Sequence, residues 1–348
     1  MTHFRLVPLI LLCALALALA ACGEKEEPSG AAGGADDHLR VMLDYFPNAD
    51  HAGLYAAQQS GAYRDAGLDV ELTPPPDPAS PLKLLQAGKV DLAISYEPEV
   101  LLAREQGADL IAIGAVVQKP LTALMSVGKD AIRSPGQLRG KRVGTAGIPY
   151  QSAYLKTILD EAGVDPGSVR EVNVGFGFVP AMVGGKVDAT LGAFWNYEGV
   201  DLERRGKDPV IQRMDDLGVP TYAELVLVAR RRDLTEDFAA KVRRFIGATA
   251  RGYESLKSDP ATGLDGLLNA DGGLDRGLQA ASIKATLPVF FPADDRPWGY
   301  QEPAAWQRYI DWMRENDLIK RPQSADRVMT NEFLPGEGLD PRSALEQD

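Results

Sequence analysis

The chain has 348 residues and a formal net charge of −12, from 49 acidic and 37 basic side chains. That balance argues against nucleic acid and anionic lipid headgroups as partners of its surface. Its two cysteines are Cys13 and Cys22, and its three histidines are His3, His38 and His51.

The first 21 residues read as a leader. Arg5 supplies a short positive start, and 6–20 is an apolar run too short to span a bilayer with polar flanks. It ends in Leu19-Ala20-Ala21-Cys22, which resembles a bacterial lipobox, in which the cysteine is lipidated and becomes the first mature residue. Residues 22–37, rich in Gly, Ala, Glu and Ser, read as a flexible tether. Membrane attachment is then expected through the lipid on Cys22 alone, facing the periplasm or the cell surface. With the leader removed and His38 at the tether's end, the domain keeps His51 and no thiol. No metal site, disulfide or thiol nucleophile is expected there.

From residue 39 strand-like and helix-like segments alternate. The patterns predict a strand at 39–45, a helix at 52–66 ending at Gly67, and a strand at 68–72. After Pro74-Pro75-Pro76 come a helix at 80–87 stopped by Gly88, a strand at 90–95, a helix at 99–106 closed by Gly107, and a strand at 110–116. This rhythm implies a parallel-type sheet covered by helices. It then restarts, with a strand at 121–127, helices at 150–162, 179–184 and 198–204, and strands at 170–174 and 189–193. A strand at 224–229 returns to the first half. A long amphipathic helix at 235–257 has Thr235 or Asp233 as its N-cap, and the remainder reads as helical. One pattern occurs twice: Leu85-Gln86-Ala87-Gly88-Lys89-Val90-Asp91-Leu92-Ala93 and Met182-Val183-Gly184-Gly185-Lys186-Val187-Asp188-Ala189-Thr190. Each is a helix end, a glycine cap and a strand start, so Asp188 is expected to serve the fold. The repeat implies an α/β chain of two lobes joined by two hinge crossings. Lobe I is 38–122 with 225–348, and lobe II is 123–224.

Ligands of open α/β sheets meet the carboxyl ends of strands. After the first strand come Asp44, Tyr45, Phe46, Asn48 and His51, and after the third Ser95, Tyr96 and Glu97. In the second half the places are 145–150, 175–178 and Phe194-Trp195-Asn196-Tyr197-Glu198, and Tyr222 precedes the return strand. This set suits a flat, nitrogen-rich ring such as an aminopyrimidine. Tyr45 and Trp195 can supply stacking faces. Glu198 or Asp44 can accept from an exocyclic amine. Asn48 and Tyr96 can reach ring nitrogens. No Arg or Lys occurs in 43–55, 91–99, 144–150 or 192–199, which argues against a strong anion as ligand. Each residue also has a plain packing role: Phe46 reads as core, Asp44 and Asn48 as turn-forming, His51 as a helix-start residue, and Trp298, Trp306 and Trp312 as packing.

The segments Leu43-Asp44-Tyr45-Phe46-Pro47-Asn48-Ala49-Asp50-His51-Ala52-Gly53 and Gly192-Ala193-Phe194-Trp195-Asn196-Tyr197-Glu198-Gly199 resemble signatures of the NMT1/THI5-like family of periplasmic binding proteins. Among its members they look closest to those that capture thiamine pyrimidine precursors for ABC importers. The likeness runs from about residue 39 to the low 300s. It implies a type II periplasmic-binding-protein fold and a monomer that hands formylaminopyrimidine or hydroxymethylpyrimidine to permease subunits, with no cofactor and no catalytic residue. A riboflavin-binding lipoprotein is the alternative. The family also contains fungal synthases that carry pyridoxal phosphate on a lysine after the third strand and a Cys-rich motif in the second lobe. The matching stretch here, Ile94-Ser95-Tyr96-Glu97-Pro98-Glu99, has no lysine, and the domain has no Cys. The resemblance therefore implies a binder.

Overall fold

A computed structural model describes residues 37–335. The leader, Cys22, nearly all of the tether and the last residues assigned to lobe I lie outside the described residues. The first half opens with strand β1 (His38–Met42), helices α1 (Ala52–Gln59) and α2 (Ala62–Asp65), strand β2 (Asp69–Thr73) and helix α3 (Pro81–Gln86). Strand β3 (Leu92–Ser95), helix α4 (Glu97–Glu105) and strand β4 (Leu110–Val117) follow. The second half holds β5 (Thr122–Ser126), β6 (Arg142–Thr145), α5 (Pro149–Glu161), β7 (Arg170–Asn173), α6 (Phe178–Val183), β8 (Ala189–Phe194), α7 (Glu198–Arg204) and β9 (Val210–Arg213). The chain ends with β10 (Leu225–Arg230), α8 (Glu236–Ser258), α9 (Pro260–Ala270), α10 (Arg276–Thr286), α11 (Pro303–Glu315) and α12 (Ala325–Val328).

The strands form two five-stranded sheets, ordered β2-β1-β3-β10-β4 and β7-β6-β8-β5-β9. Each is mixed, which corrects the parallel-type expectation. β10 runs antiparallel to both β3 and β4, and β5 runs antiparallel to both β8 and β9. The reason is topological. β5 and β10 enter their sheets along the crossings rather than through a helix on one face, so nothing forces them parallel. Strand β9 has no counterpart in the sequence patterns, being a short, partly exposed edge of four residues. The helix expected at 52–66 is two helices. Gly61 takes φ +81° between them, a left-handed conformation that breaks the ladder cheaply only at glycine.

The repeated Gly-Lys-Val-Asp element does the same job twice. Gly88 and Gly185 have φ of +70° and +67°, closing the preceding helices. Asp91 accepts from the Arg40 backbone N–H at 2.8 Å and from its guanidinium at 2.8 and 3.1 Å. Asp188 accepts likewise from Arg142, at 2.8, 2.9 and 3.1 Å. Each aspartate thus pins the start of one central strand to its parallel neighbour, β3 on β1 and β8 on β6.

Helix α8 carries Phe245, Ile246, Tyr253 and Leu256 into the core and packs on α1. Thr235 occupies its N-cap without a side-chain capping bond. The α1–α8 approach is close at two glycines. A Cβ on Gly252 would collide with the Gly53 carbonyl oxygen and lie 2.8 Å from the Ala57 Cβ. This contact sets the height of α1, whose N-terminal lead-in is the residue 43–51 segment.

Candidate functional site

A cavity lies where the carboxyl ends of β1, β3, β6, β7 and β8 converge between the two sheets. It encloses about 400 Å³, mouth included. One side brings Tyr45, Asn48, Asp50 and Tyr96; the other brings Gln151, Phe176, Phe178, Phe194, Tyr197 and Glu198. Aromatic rings form the walls. Tyr45 stands edge-on to Phe176 with centroids 4.4 Å apart, and Tyr96 edge-on to Phe194 at 6.4 Å. Gly192, with φ +125°, leaves room for the Gln151 amide, which any Cβ there would overlap. The Gln151 Oε1 in turn accepts from the Ala146 N–H at 2.7 Å.

Two contacts tie the halves together across the cavity. The Tyr45 hydroxyl donates to the Phe176 carbonyl at 2.9 Å. Asn196 Nδ2 donates to Asp50 Oδ1 at 2.6 Å and meets Thr286 Oγ1 at 2.7 Å. Asp50 Oδ2 and Asn196 Oδ1 have no partner in the protein. Burial pushes the Asp50 carboxyl up to about 7, opposed in part by His51. Burial also pushes Glu198 up to about 7, although its Oε2 accepts from the Phe194 N–H at 2.8 Å. No Lys or Arg lines the cavity. The site is therefore an aromatic-walled cavity with carboxyl acceptors and no fixed cation, suited to a ring bearing N–H donors.

Five of the expected residues line this cavity: Tyr45, Asn48, Tyr96, Phe194 and Glu198. Asn48 uses its amide in the turn, with Oδ1 accepting from the Asp50 N–H at 2.8 Å and Nδ2 donating to the Phe46 carbonyl at 3.0 Å. Asp44 lies behind the wall, outside the lining. Each of its oxygens already has a partner: it accepts from His51 Nε2 at 2.8 Å and from the Tyr96 hydroxyl at 2.9 Å. His51 is fully buried and its Nδ1 faces the Asn48 N–H at 3.4 Å, so its role is to hold the turn. Asn196 reaches the site through Asp50 rather than by lining it. Ser95 is buried at the end of β3 and is not part of the lining.

Trp195, expected to supply a stacking face, lies outside this lining. Its indole N–H donates to the Pro120 carbonyl at 3.0 Å, and the Arg213 guanidinium sits 4.1 Å over its ring. The residue points away because Phe194 and Trp195 alternate sides at the end of β8. Glu97 and Tyr222 also lie outside it and line a different cavity beside the chain crossings. Phe46, expected in the core, is 49% exposed and leans on Phe176, with centroids 4.7 Å apart. The residues that sequence reasoning passed over are Asp50, Gln151, Phe176, Phe178 and Tyr197. Phe176, Phe178 and Tyr197 sat in the stretches that follow strands, so position alone pointed to them. Asp50 lies in the short helical turn before α1, and Gln151 lies in the first turn of α5.

Among the described residues no helix is long and apolar enough to cross a membrane, and no cluster of His, Cys, Asp and Glu could hold a metal ion. Among solved structures the fold matches the alkanesulfonate-binding protein SsuA from Xanthomonas axonopodis pv. citri bound to MOPS, with TM-score 0.62 and 20% identity over 86% of this chain and 98% of that one. It also matches the periplasmic aliphatic sulphonate binding protein SsuA from Escherichia coli, with TM-score 0.61 and 18% identity over 90% and 98%. At such identities the likeness shows the periplasmic-binding-protein fold. In sequence, the chain is 31% identical over 334 residues to the formylaminopyrimidine-binding protein of Halalkalibacterium halodurans, covering 95% of this chain and 99% of that protein. It is 26% identical over 307 residues to the 4-amino-5-hydroxymethyl-2-methylpyrimidine phosphate synthase of Legionella pneumophila, covering 85% and 92%. The NMT1/THI5-like family pattern matches residues 48–262, and with the near full-length relative it shows that this chain belongs to the NMT1/THI5-like family.

Proposed function

We propose that this protein is the extracytoplasmic solute-binding lipoprotein of an ABC importer and captures a thiamine pyrimidine precursor, formylaminopyrimidine or hydroxymethylpyrimidine, between two lobes. The observation that carries this reading is the cavity itself: aromatic walls, the Asp50 and Glu198 carboxyls, and no basic residue in the lining. An aminopyrimidine stacks on the walls and donates from its exocyclic amine to an oxygen that has no partner within the protein, Asp50 Oδ2 being the first candidate.

The lobes are 38–122 with 225–348, and 123–224. The ligand docks on lobe I and lobe II closes over it, with bending confined to the crossings. Closure makes the Tyr45–Phe176 and Asn196–Asp50 contacts, and the closed form is what permease subunits recognise. The lipid on Cys22 keeps the protein at the membrane. No reaction is involved. Some relatives are named as synthases, but no lysine lines this cavity, so Schiff-base chemistry lacks its nucleophile.

The test is a calorimetric and thermal-shift titration with formylaminopyrimidine, hydroxymethylpyrimidine, thiamine, riboflavin and taurine. Saturable binding of a pyrimidine, with stabilisation of about 2.7 kcal/mol at 100 times its Kd, is expected. Binding of riboflavin alone would keep the transport role and overturn the substrate. Binding of taurine alone would overturn the electrostatic reasoning.

A further inference from the structure

A second cavity opens beside the two crossings and encloses about 1,070 Å³, mouth included. Four side chains in its lining each present one buried atom without a partner in the protein: Glu97 Oε1, Gln118 Nε2, Thr221 Oγ1 and Gln301 Oε1. Glu97 and Gln301 are each only 2% exposed. The orientation of each is fixed by its other end. Glu97 Oε2 accepts from the Ala223 N–H at 2.8 Å. Gln301 Nε2 donates to the Ala112 and Thr330 carbonyls at 3.3 and 3.1 Å, and its oxygen is the atom left without a partner. Buried polar atoms are rarely left unpaired, and four around one space mark a place made to be filled.

The donor and acceptor count describes the occupant. Three oxygens, those of Glu97, Thr221 and Gln301, match the three N–H donors of a primary ammonium. The Gln118 N–H matches an acceptor a short distance along the same molecule. Glu97 is pushed up to about 8 by burial, and an arriving cation would relieve the carboxylate that burial disfavours. No cluster of carboxylates among the described residues, those of this lining included, could hold a divalent metal ion, and an anion would be repelled by Glu97. Lys119, Arg308, Asp294 and Glu302 stand in the lining with both signs of charge and leave the mouth without a net preference.

We propose that this cavity is a second ligand site, taking a small organic ammonium compound with an adjacent hydroxyl or carbonyl. Gln118 lies between β4 and β5, and Thr221 lies just before β10. An occupant held by both therefore braces the crossings and changes the ease of closure. The inference does not depend on which solute fills the cleft.

The experiment titrates ethanolamine into the purified full chain by calorimetry, with ethylene glycol as the uncharged probe of similar size. Expected are saturable one-to-one binding of ethanolamine, at least tenfold weaker binding of ethylene glycol, and at least a tenfold loss of ethanolamine affinity in Glu97→Gln. Gln118→Leu, at a half-buried position, should weaken binding as well, and circular dichroism of both variants checks that they fold. Absence of saturable binding at tens of millimolar overturns the proposal. So does binding that survives both substitutions, or binding lost in Asp50→Asn and kept in Glu97→Gln, which would assign it to the cleft. A crystal grown with ethanolamine that shows only ordered waters on the four atoms would overturn it too.

Discussion

Asp50→Asn tests the electrostatics of the cleft most directly. The Asp50 carboxyl is 1% exposed, and burial raises it from an ordinary 3.8 to about 7. A carboxyl raised on folding binds its proton more tightly in the native state than in the unfolded chain. Its contribution is therefore neutral below about pH 4, turns destabilising as the unfolded chain ionises first, and levels off above about pH 7. At roughly 1.4 kcal/mol per pKa unit, the full penalty is about 4 kcal/mol, and about 2–3 kcal/mol of it develops between pH 5 and pH 8. Asn has the same shape and no such penalty, although its amide N–H group in place of Oδ2 costs about 1–3 kcal/mol at either pH if left unpaired. The difference in the mutational effect between the two pH values cancels that packing term. Urea unfolding of both proteins without ligand, at pH 5 and pH 8, should show the variant gaining about 2–3 kcal/mol relative to the parent on going to pH 8. A pH-independent effect, or a change of the opposite sign, would refute the buried-carboxyl account. With formylaminopyrimidine the same substitution should cost at least tenfold in affinity at both pH values, because an acceptor has been replaced by a donor.

Other perturbations probe the remaining parts. Tyr45→Ala should weaken binding more than tenfold, whereas Trp195→Ala should leave affinity within about threefold; equal losses in calorimetry would return Trp195 to the site. Glu224 accepts from the Leu121 and Thr122 N–H groups at 2.6 and 2.7 Å and from the Thr122 hydroxyl at 2.9 Å, clasping one crossing to the other. At pH 5 Glu224→Gln should destabilise the protein by about 1–3 kcal/mol in chemical unfolding, since an amide N–H₂ then replaces one of the two acceptor oxygens, and the loss should shrink toward pH 8 because burial raises the Glu224 carboxyl to about 7. Gly252→Ala would gain about 1 kcal/mol of helix propensity at an open position, so a net loss of about 1–3 kcal/mol would isolate the collision with Gly53. A stabilised variant would mean that α1 and α8 are not held as closely as described.

Much of the fold was legible because it rests on local rules. Glycine caps, strand hydrophobicity and the twice-used Gly-Lys-Val-Asp element show directly in the order of residues, and they marked most of the elements and the repeated pattern. The sheets' mixed direction was not legible, because antiparallel insertion of β5 and β10 depends on where the chain crosses, which leaves no periodic trace. The site divides in the same way. Tyr45, Tyr96 and Glu198 follow strands and Phe194 ends one, and backbone direction alone brings such positions to the carboxyl edge. Trp195 has the composition of a ligand-stacking residue and the wrong parity at the end of β8.

What the sequence by itself determined is therefore the α/β alternation, the repeated halves, the acidic surface and the strand-end segments from which a cleft is drawn. What only the tertiary structure decided is which acceptors stay free. Asp44 and Asp50 are six positions apart in the segment between β1 and α1 and look alike as residues. Both Asp44 oxygens have partners, His51 and Tyr96, while Asp50 keeps Oδ2 without one. Which oxygen has a partner depends on side chains such as Tyr96 and Asn196 that folding brings in from elsewhere, so it is a property of the packed molecule and not of the chain.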